Sequence, residues 1–176
     1  SYLFPKAHAA AYVTTAFRIA YFKVHHPLAF AAAYFSFHGS SMTVDYMHNN
    51  PDLWRKEIES INSSPSATAR QQDVASALEV ALEMYRRGVR FGKPSLYKSD
   101  ARKYLPEDGL LIPPFVSIPG IGERAAQAIV EARSEGPFTS VEDFRRRTKL
   151  SKKLCDALKE YGVLASLPEG EQLALF

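Results

Sequence analysis

The sequence predicts a mainly α fold, with a few short strands near the middle and a helix, short turn, helix unit at the end that occurs twice. Three observations predict it. Val74, Ala77, Leu78, Ala81, Leu82 and Tyr85 recur at helical spacing until Gly88 stops them. Between 89 and 112 that period gives way to apolar residues set among turn residues. Beyond it, Pro119-Gly120-Ile121-Gly122 runs straight into an Ala-rich stretch, and Leu150-Ser151-Lys152-Lys153 leads into a second helical stretch, Leu154 to Tyr161, with Lys where the first copy has Gly.

Composition narrows the classes. At 46% hydrophobic and 12% aromatic the chain is not disordered, and 176 residues suffice for one ordinary domain or two small ones. A formal net charge of +3 argues only weakly for an acidic partner. One cysteine, Cys155, excludes an internal disulfide framework and a cysteine-rich zinc site, and fits a cytoplasmic protein. No signal peptide or lipidation motif is visible. Residues 9–37 are apolar, but Arg18, Lys23, His25, His26 and Pro27 break the run short of a membrane span. The opening Tyr2-Leu3-Phe4-Pro5, with no initiating Met, reads as a piece of a longer protein.

In chain order, residues 6–25 form the first helix, with Pro5 just before its first turn. Tyr12, Val13, Phe17, Ile19, Tyr21 and Phe22 leave nearly every face of it in need of a cover. A second helix follows Pro27 through Phe30, Tyr34 and Phe35. Gly39-Ser40-Ser41 breaks the chain, and Val44 to Ile61 reads as helix interrupted at Asn49-Asn50-Pro51, with Leu53, Trp54, Ile58 and Ile61 inward. A long helix occupies about 67–87. Short extended segments fill 89–112.

Pro113-Pro114 opens the repeated unit. Phe115 to Ile118 is its first short helix, 119–122 the turn and 123–134 the second helix, ended by Gly136-Pro137. Thr139-Ser140-Val141-Glu142 is a capping-box pattern for a helix to Arg147, and Leu154 to Tyr161 closes the unit before Gly162. The divisions expected are 1–38, 39–112, 113–165 and a tail, 166–176.

The Pro-Gly-apolar-Gly turn carries the chemistry. Two glycines in four residues allow a tight turn with bare amides, and the helix start beyond adds unpaired N–H groups and partial positive charge. Together they form a phosphate seat, the hairpin of a helix-hairpin-helix motif. Pro119, Gly120, Ile121, Gly122 and Arg124 are its candidate residues, with Lys149, Ser151, Lys152 and Lys153 in the second copy. Arg145-Arg146-Arg147 reads equally as phosphate contact or as a solvated face. His25, His26, His38 and His48 lack metal-ligand partners at usable spacing and read as structural.

Three stretches, in order, resemble the C-terminal part of the C-family bacterial replicative polymerases, the PolC-type DNA polymerase III α subunits. Phe4-Pro5-Lys6-Ala7-His8-Ala9 is similar to a block at the end of the family's fingers. Ile112-Pro113-Pro114-Phe115 through Gly122, with Gly136-Pro137-Phe138, is similar to its duplex-binding tandem hairpin. Gln172-Leu173-Ala174-Leu175-Phe176 is similar to its sliding-clamp-binding pentapeptide.

The resemblance implies a helical end of the fingers over 1–38, a helical connector over 39–112 and a tandem helix-hairpin-helix domain. It implies incoming nucleotide at Tyr2, Phe4, Lys6 and His8, primer-template duplex at the hairpins, and the clamp at Gln172, Leu173, Leu175 and Phe176. It implies Mg²⁺ for the parent polymerase, held by carboxylates upstream of residue 1, so that the segment carries no catalytic residue and is not active alone. A monovalent cation under the hairpin carbonyls, contact with the remaining polymerase domains, and a place at the replication fork complete the expectation. The rival is a stand-alone helix-hairpin-helix module of repair or DNA uptake. It accounts for 113–165 and leaves both ends of the chain without a role.

Overall fold

The computed structural model describes residues 5–170. Among them are seven helices: α1 Lys6–His25, α2 Pro27–His38, α3 Pro51–Ser63, α4 Ala69–Arg86, α5 Glu123–Ser134, α6 Val141–Thr148 and α7 Lys152–Glu160. A small sheet, β1 Arg90–Phe91, β2 Leu105–Glu107 and β3 Leu110–Ile112, has the order β1-β3-β2. β1 runs parallel to β3, with Phe91 opposite Leu111, and β2 runs antiparallel to it, with Leu105 opposite Ile112. Asp108 and Gly109, at φ 50° and 77°, form the tight turn between β2 and β3.

The first core gathers Phe35 of α2, Trp54 and Ile61 of α3, Leu78 and Met84 of α4, and Phe91 and Leu111 of the sheet. Phe35 and Trp54 meet Phe91 edge-on, with centroids 5.2 and 6.1 Å away. α3 starts at Pro51 because Asn50 caps it, its side chain accepting the Asp52 and Leu53 amides. The helix expected from Val44 is therefore only a 3₁₀ turn, Val44–Tyr46, ahead of that cap. Leu53 points outward and is 47% exposed, against the inward placement expected of it. Thr68 and Gln71 close a capping box at the start of α4.

α1 lies apart from this core. None of its residues is buried, and Tyr12, Phe17, Tyr21 and Phe22 are exposed. It leans on α2 and reaches α4 through Lys23, whose ammonium is 2.5 Å from Glu83. Among the described residues no helix is long and apolar enough to cross a membrane.

The second core centres on Phe115, Ile118, Ala126, Ile129, Phe144, Leu158 and Leu164. It draws Leu96 and Ala101 from the loop before β2, so its packing starts upstream of residue 113. One of the following ties reaches across to the first core, from α7's end to Asp45, and the others fasten the loop before β2 to the second core. The Tyr161 hydroxyl donates to Asp45 Oδ1 at 2.7 Å, and Arg133 donates to the Leu96 and Ser99 carbonyls at 3.0 and 2.6 Å. Fully buried Ser99 donates to the Pro113 carbonyl at 2.7 Å. The repeated unit thus stands on a fixed base.

Candidate nucleic-acid interface

The two turns share one backbone design. Gly120 stands at φ 85° and Lys149 at φ 56°, both left-handed. Ile121 and Leu150 follow and are buried, as pegs that fasten each turn to the second core. Gly122 and Ser151 come next, as the extended N-caps of α5 and α7. The amides of Ala126 and Cys155 then close the first helical turns on the Gly122 and Ser151 carbonyls at 3.0 and 3.1 Å. The expected second copy is present in the geometry as well as the spacing.

In the first turn the amides of Gly120, Gly122, Glu123 and Arg124 find no acceptor among the described residues. Buried amides without acceptors are costly, but these lie at an exposed turn where a ligand can reach them. Nothing lies within 4 Å of a Cβ built on Gly120 or Gly122. Gly120 needs its glycine for the left-handed backbone. Gly122, at φ −83° and ψ 169°, does not, so neither strain nor internal packing demands glycine there. The space it leaves is on the outside.

The second turn is built differently. The Ser151 hydroxyl accepts the Leu154 amide at 3.4 Å and so caps α7 itself. Lys149 occupies the left-handed position as the C-cap of α6, its amide donating to the Arg145 carbonyl at 2.9 Å. Lys149, Lys152 and Lys153 are exposed, as is Arg124 of the first turn. Among the described residues none of these four pairs with a carboxylate. One turn thus offers bare amides and the other adds ammonium groups.

Two of the residues considered for the interface turn inward. The Ile121 side chain is buried and its amide donates to the Ile118 carbonyl at 3.0 Å, so both anchor the turn. Arg147, one of the Arg145-Arg146-Arg147 run, faces inward. Its guanidinium lies 4.3 Å from the centre of the Phe138 ring and donates to the carbonyls of Pro137, Ala132 and Gly136 at the end of α5. It also pairs with buried Asp143 at 3.4 Å. Arg147 therefore joins the two repeats to each other. Arg146 pairs with the other Asp143 oxygen at 2.6 Å yet stays exposed, and it lines one hollow with Arg145 and Lys149.

Other local expectations also shift. The first helix of the unit is a single 3₁₀ turn, Phe115–Ser117, because Pro113-Pro114 and Pro119 leave no room for more. The cap of α6 sits one residue later than read: Ser140 accepts the Asp143 amide at 3.0 Å, and Asp143 accepts the Thr139 amide at 3.2 Å.

At the other end of the chain, Lys6 and His8 occupy the exposed first turn of α1. Residues two apart lie about 200° apart around a helix, so both can approach one ligand only at the helix end. The His8 ring stands edge-on to Tyr12 at 4.5 Å. Tyr2, Phe4, Gln172, Leu173, Leu175 and Phe176 lie outside the described residues. Among those described, no group of three or more His, Cys, Asp or Glu could hold a metal ion.

Comparison with known proteins agrees with this geometry. A helix-hairpin-helix motif family matches residues 88–173. The chain is 47% identical over 175 residues to DNA polymerase III PolC-type of Thermotoga maritima, covering 99% of this chain and 13% of that protein. The same protein of Caldanaerobacter subterraneus subsp. tengcongensis is 47% identical over 176 residues, again 99% of this chain and 13% of its own length. That of Bacillus subtilis is also 47% identical over 176 residues, which make up 12% of it. The chain spans about an eighth of the length of the curated relatives it matches.

Proposed function

The chain belongs to the PolC-type DNA polymerase III family as a counterpart of its C-terminal part, and on that premise we propose that it holds duplex DNA for a replicative polymerase through phosphates alone. The observation that carries this is the first turn, with four amides that have no acceptor and a glycine that the fold itself does not require. Amides at a helix start suit a phosphate and carry no base information. Lys149, Lys152 and Lys153, with Arg124, supply the salt-dependent share of the grip.

Two further roles belong to the proposal. Lys6 and His8, with Tyr2 and Phe4, help seat the incoming nucleotide. Gln172, Leu173, Leu175 and Phe176 bind the sliding clamp, two leucines and a phenylalanine filling an apolar pocket and the glutamine fixing orientation. Such a peptide is weak alone and gains from simultaneous DNA contact. Nucleotidyl transfer in this class relies on Mg²⁺ between paired carboxylates. On the family resemblance those carboxylates lie upstream of residue 1, and in this reading the ion and the chemistry belong to the rest of the parent enzyme. Its place of action is the cytoplasmic replication fork. A free-standing repair or uptake module would leave the likeness of residues 1–87 to a polymerase unexplained.

Duplexes of unrelated sequence are expected to bind the full chain with equal affinity, and removal of 172–176 to abolish clamp capture while leaving that affinity unchanged. Fluorescence anisotropy and clamp pull-down measure the two. A sequence preference sinks the phosphate reading, and surviving clamp capture sinks the tail assignment. In the polymerase, Lys6→Ala should raise the nucleotide KM about tenfold, the loss of one charge-assisted contact. Wild-type kinetics would return Lys6 to the surface.

A further inference from the structure

The two repeats differ in charge at one matched position. The first residue of α7 is Lys152, and the first residue of α5 is Glu123. A carboxylate at that place suits a bare helix start but repels an arriving phosphate. The first turn therefore carries, within its own sequence, a charge opposed to the proposed ligand.

The connector supplies what the repeat lacks. Arg102, in the loop before β2, sets its Nη2 3.4 Å from Glu123 Oε1. Its loop is fixed against the hairpin: the Phe115 and Val116 amides donate to the Asp100 and Ala101 carbonyls at 3.0 and 3.2 Å. The Asp100 carboxylate accepts the Arg102 and Lys103 amides, each at 2.8 Å. Arg102 and Glu123 together line hollows on both sides of the turn, one with Gly122 and Ser117, the other with Arg124 and Gln127. The two side chains are 68% and 67% exposed, so the pair contributes little to stability and its charges face the solvent side.

We propose that Arg102 is a positioning residue for the first hairpin: it holds and neutralises the Glu123 carboxylate so that a phosphate can settle on the glycine amides. This rests on the hairpins being phosphate seats. It also explains why a loop outside the repeats is stitched so closely to the first of them, with no counterpart cation needed at the second, where Lys152 already carries the favourable sign.

The test is duplex affinity of the full chain in about 20 mM salt, where screening is weak. Arg102→Ala should weaken binding on the order of three- to tenfold, the effect of one unmasked charge several ångströms from a phosphate. Its melting temperature should not change, and Arg102→Lys should retain most of the affinity. Adding Glu123→Gln to Arg102→Ala should restore binding to within about twofold of Glu123→Gln alone, because the charge to be masked is gone. If the double variant stays as weak against Glu123→Gln as Arg102→Ala is against wild type, Arg102 grips phosphate itself and the proposal falls. It falls too if Arg102→Ala binds normally. Should Gly122→Val still abolish binding in that case, the hairpin reading survives, whereas normal binding by both variants removes the two together.

Discussion

Gly122→Val is expected to lower duplex affinity at least tenfold, equally for unrelated sequences, while the protein stays folded. The added side chain meets no protein atom, and its backbone angles suit any residue. Valine is a poorer N-cap than glycine, a cost of about 0.5–1 kcal/mol, or a fall of a few degrees in melting temperature. The loss in binding comes from outside: methyl groups now stand where a phosphate oxygen would approach the amides of Gly122 and Glu123, and each charge-assisted hydrogen bond removed is worth about 1.5–3 kcal/mol. Gly120 is the less informative site, since any side chain there strains a left-handed backbone at φ 85°. Anisotropy on two duplexes, with a thermal melt as control, gives the answer. Unchanged affinity would remove the first turn from the interface, and a loss confined to one sequence would point to base contacts.

Arg147→Ala should cost about 3 kcal/mol, which for a chain of this size lowers the melting temperature by roughly 6–12 °C. The side chain is 17% exposed and Asp143 only 6%, so its removal leaves a buried carboxylate short of a partner and the end of α5 without its donor. Burial opposes ionisation of Asp143, but the Thr139 amide, Arg146 and Arg147 outweigh it and hold the carboxyl below its ordinary range. A folded pKa depressed in this way contributes stability that is present above the unfolded value, about 4, and is lost as pH falls through the lower folded one. The gap between wild type and Arg147→Ala should therefore be full at pH 7 and narrow below about pH 4. A gap that ignores pH, or a melting temperature within 2 °C of wild type, would show that Arg147 does not join the repeats.

The sequence made the long elements legible for simple reasons: α4, α5 and α7 carry an apolar face with a helical period, and α1 and α2, apolar nearly all round, start just past Pro5 and at Pro27. The glycine turn was legible because few other uses place two glycines against a helix start. What stayed hidden depends on partners distant in the chain. Asn49 reads as a break, yet its side chain donates to the Phe91 carbonyl and accepts the Phe91 amide, at 2.8 and 2.9 Å, serving β1 as an extra strand edge. Three consecutive arginines span about 200° of a helix, and which of Arg145 to Arg147 turns inward is decided by Asp143 and the carbonyls beyond α5, partners that period does not show. The Asp108-Gly109 pair is a hairpin signal the sequence does carry, inside a stretch whose apolar residues suggest only short extended segments. The Arg102–Glu123 contact, by contrast, joins a loop to a helix start and leaves no local trace.

The root of the tail is stapled down. The Pro168 carbonyl accepts the Val141 amide at 2.8 Å, and Glu169 pairs with Lys159 at 2.7 Å. Phe176 is the sixth residue beyond Gly170, and six residues fully drawn out reach roughly 20 Å. On the proposed clamp role, the pocket that takes Phe176 is held on a leash shorter than one turn of duplex, about 34 Å, from the staples on α6 and α7. Lengthening that leash, rather than weakening its grip, would be the gentler way to loosen the machine.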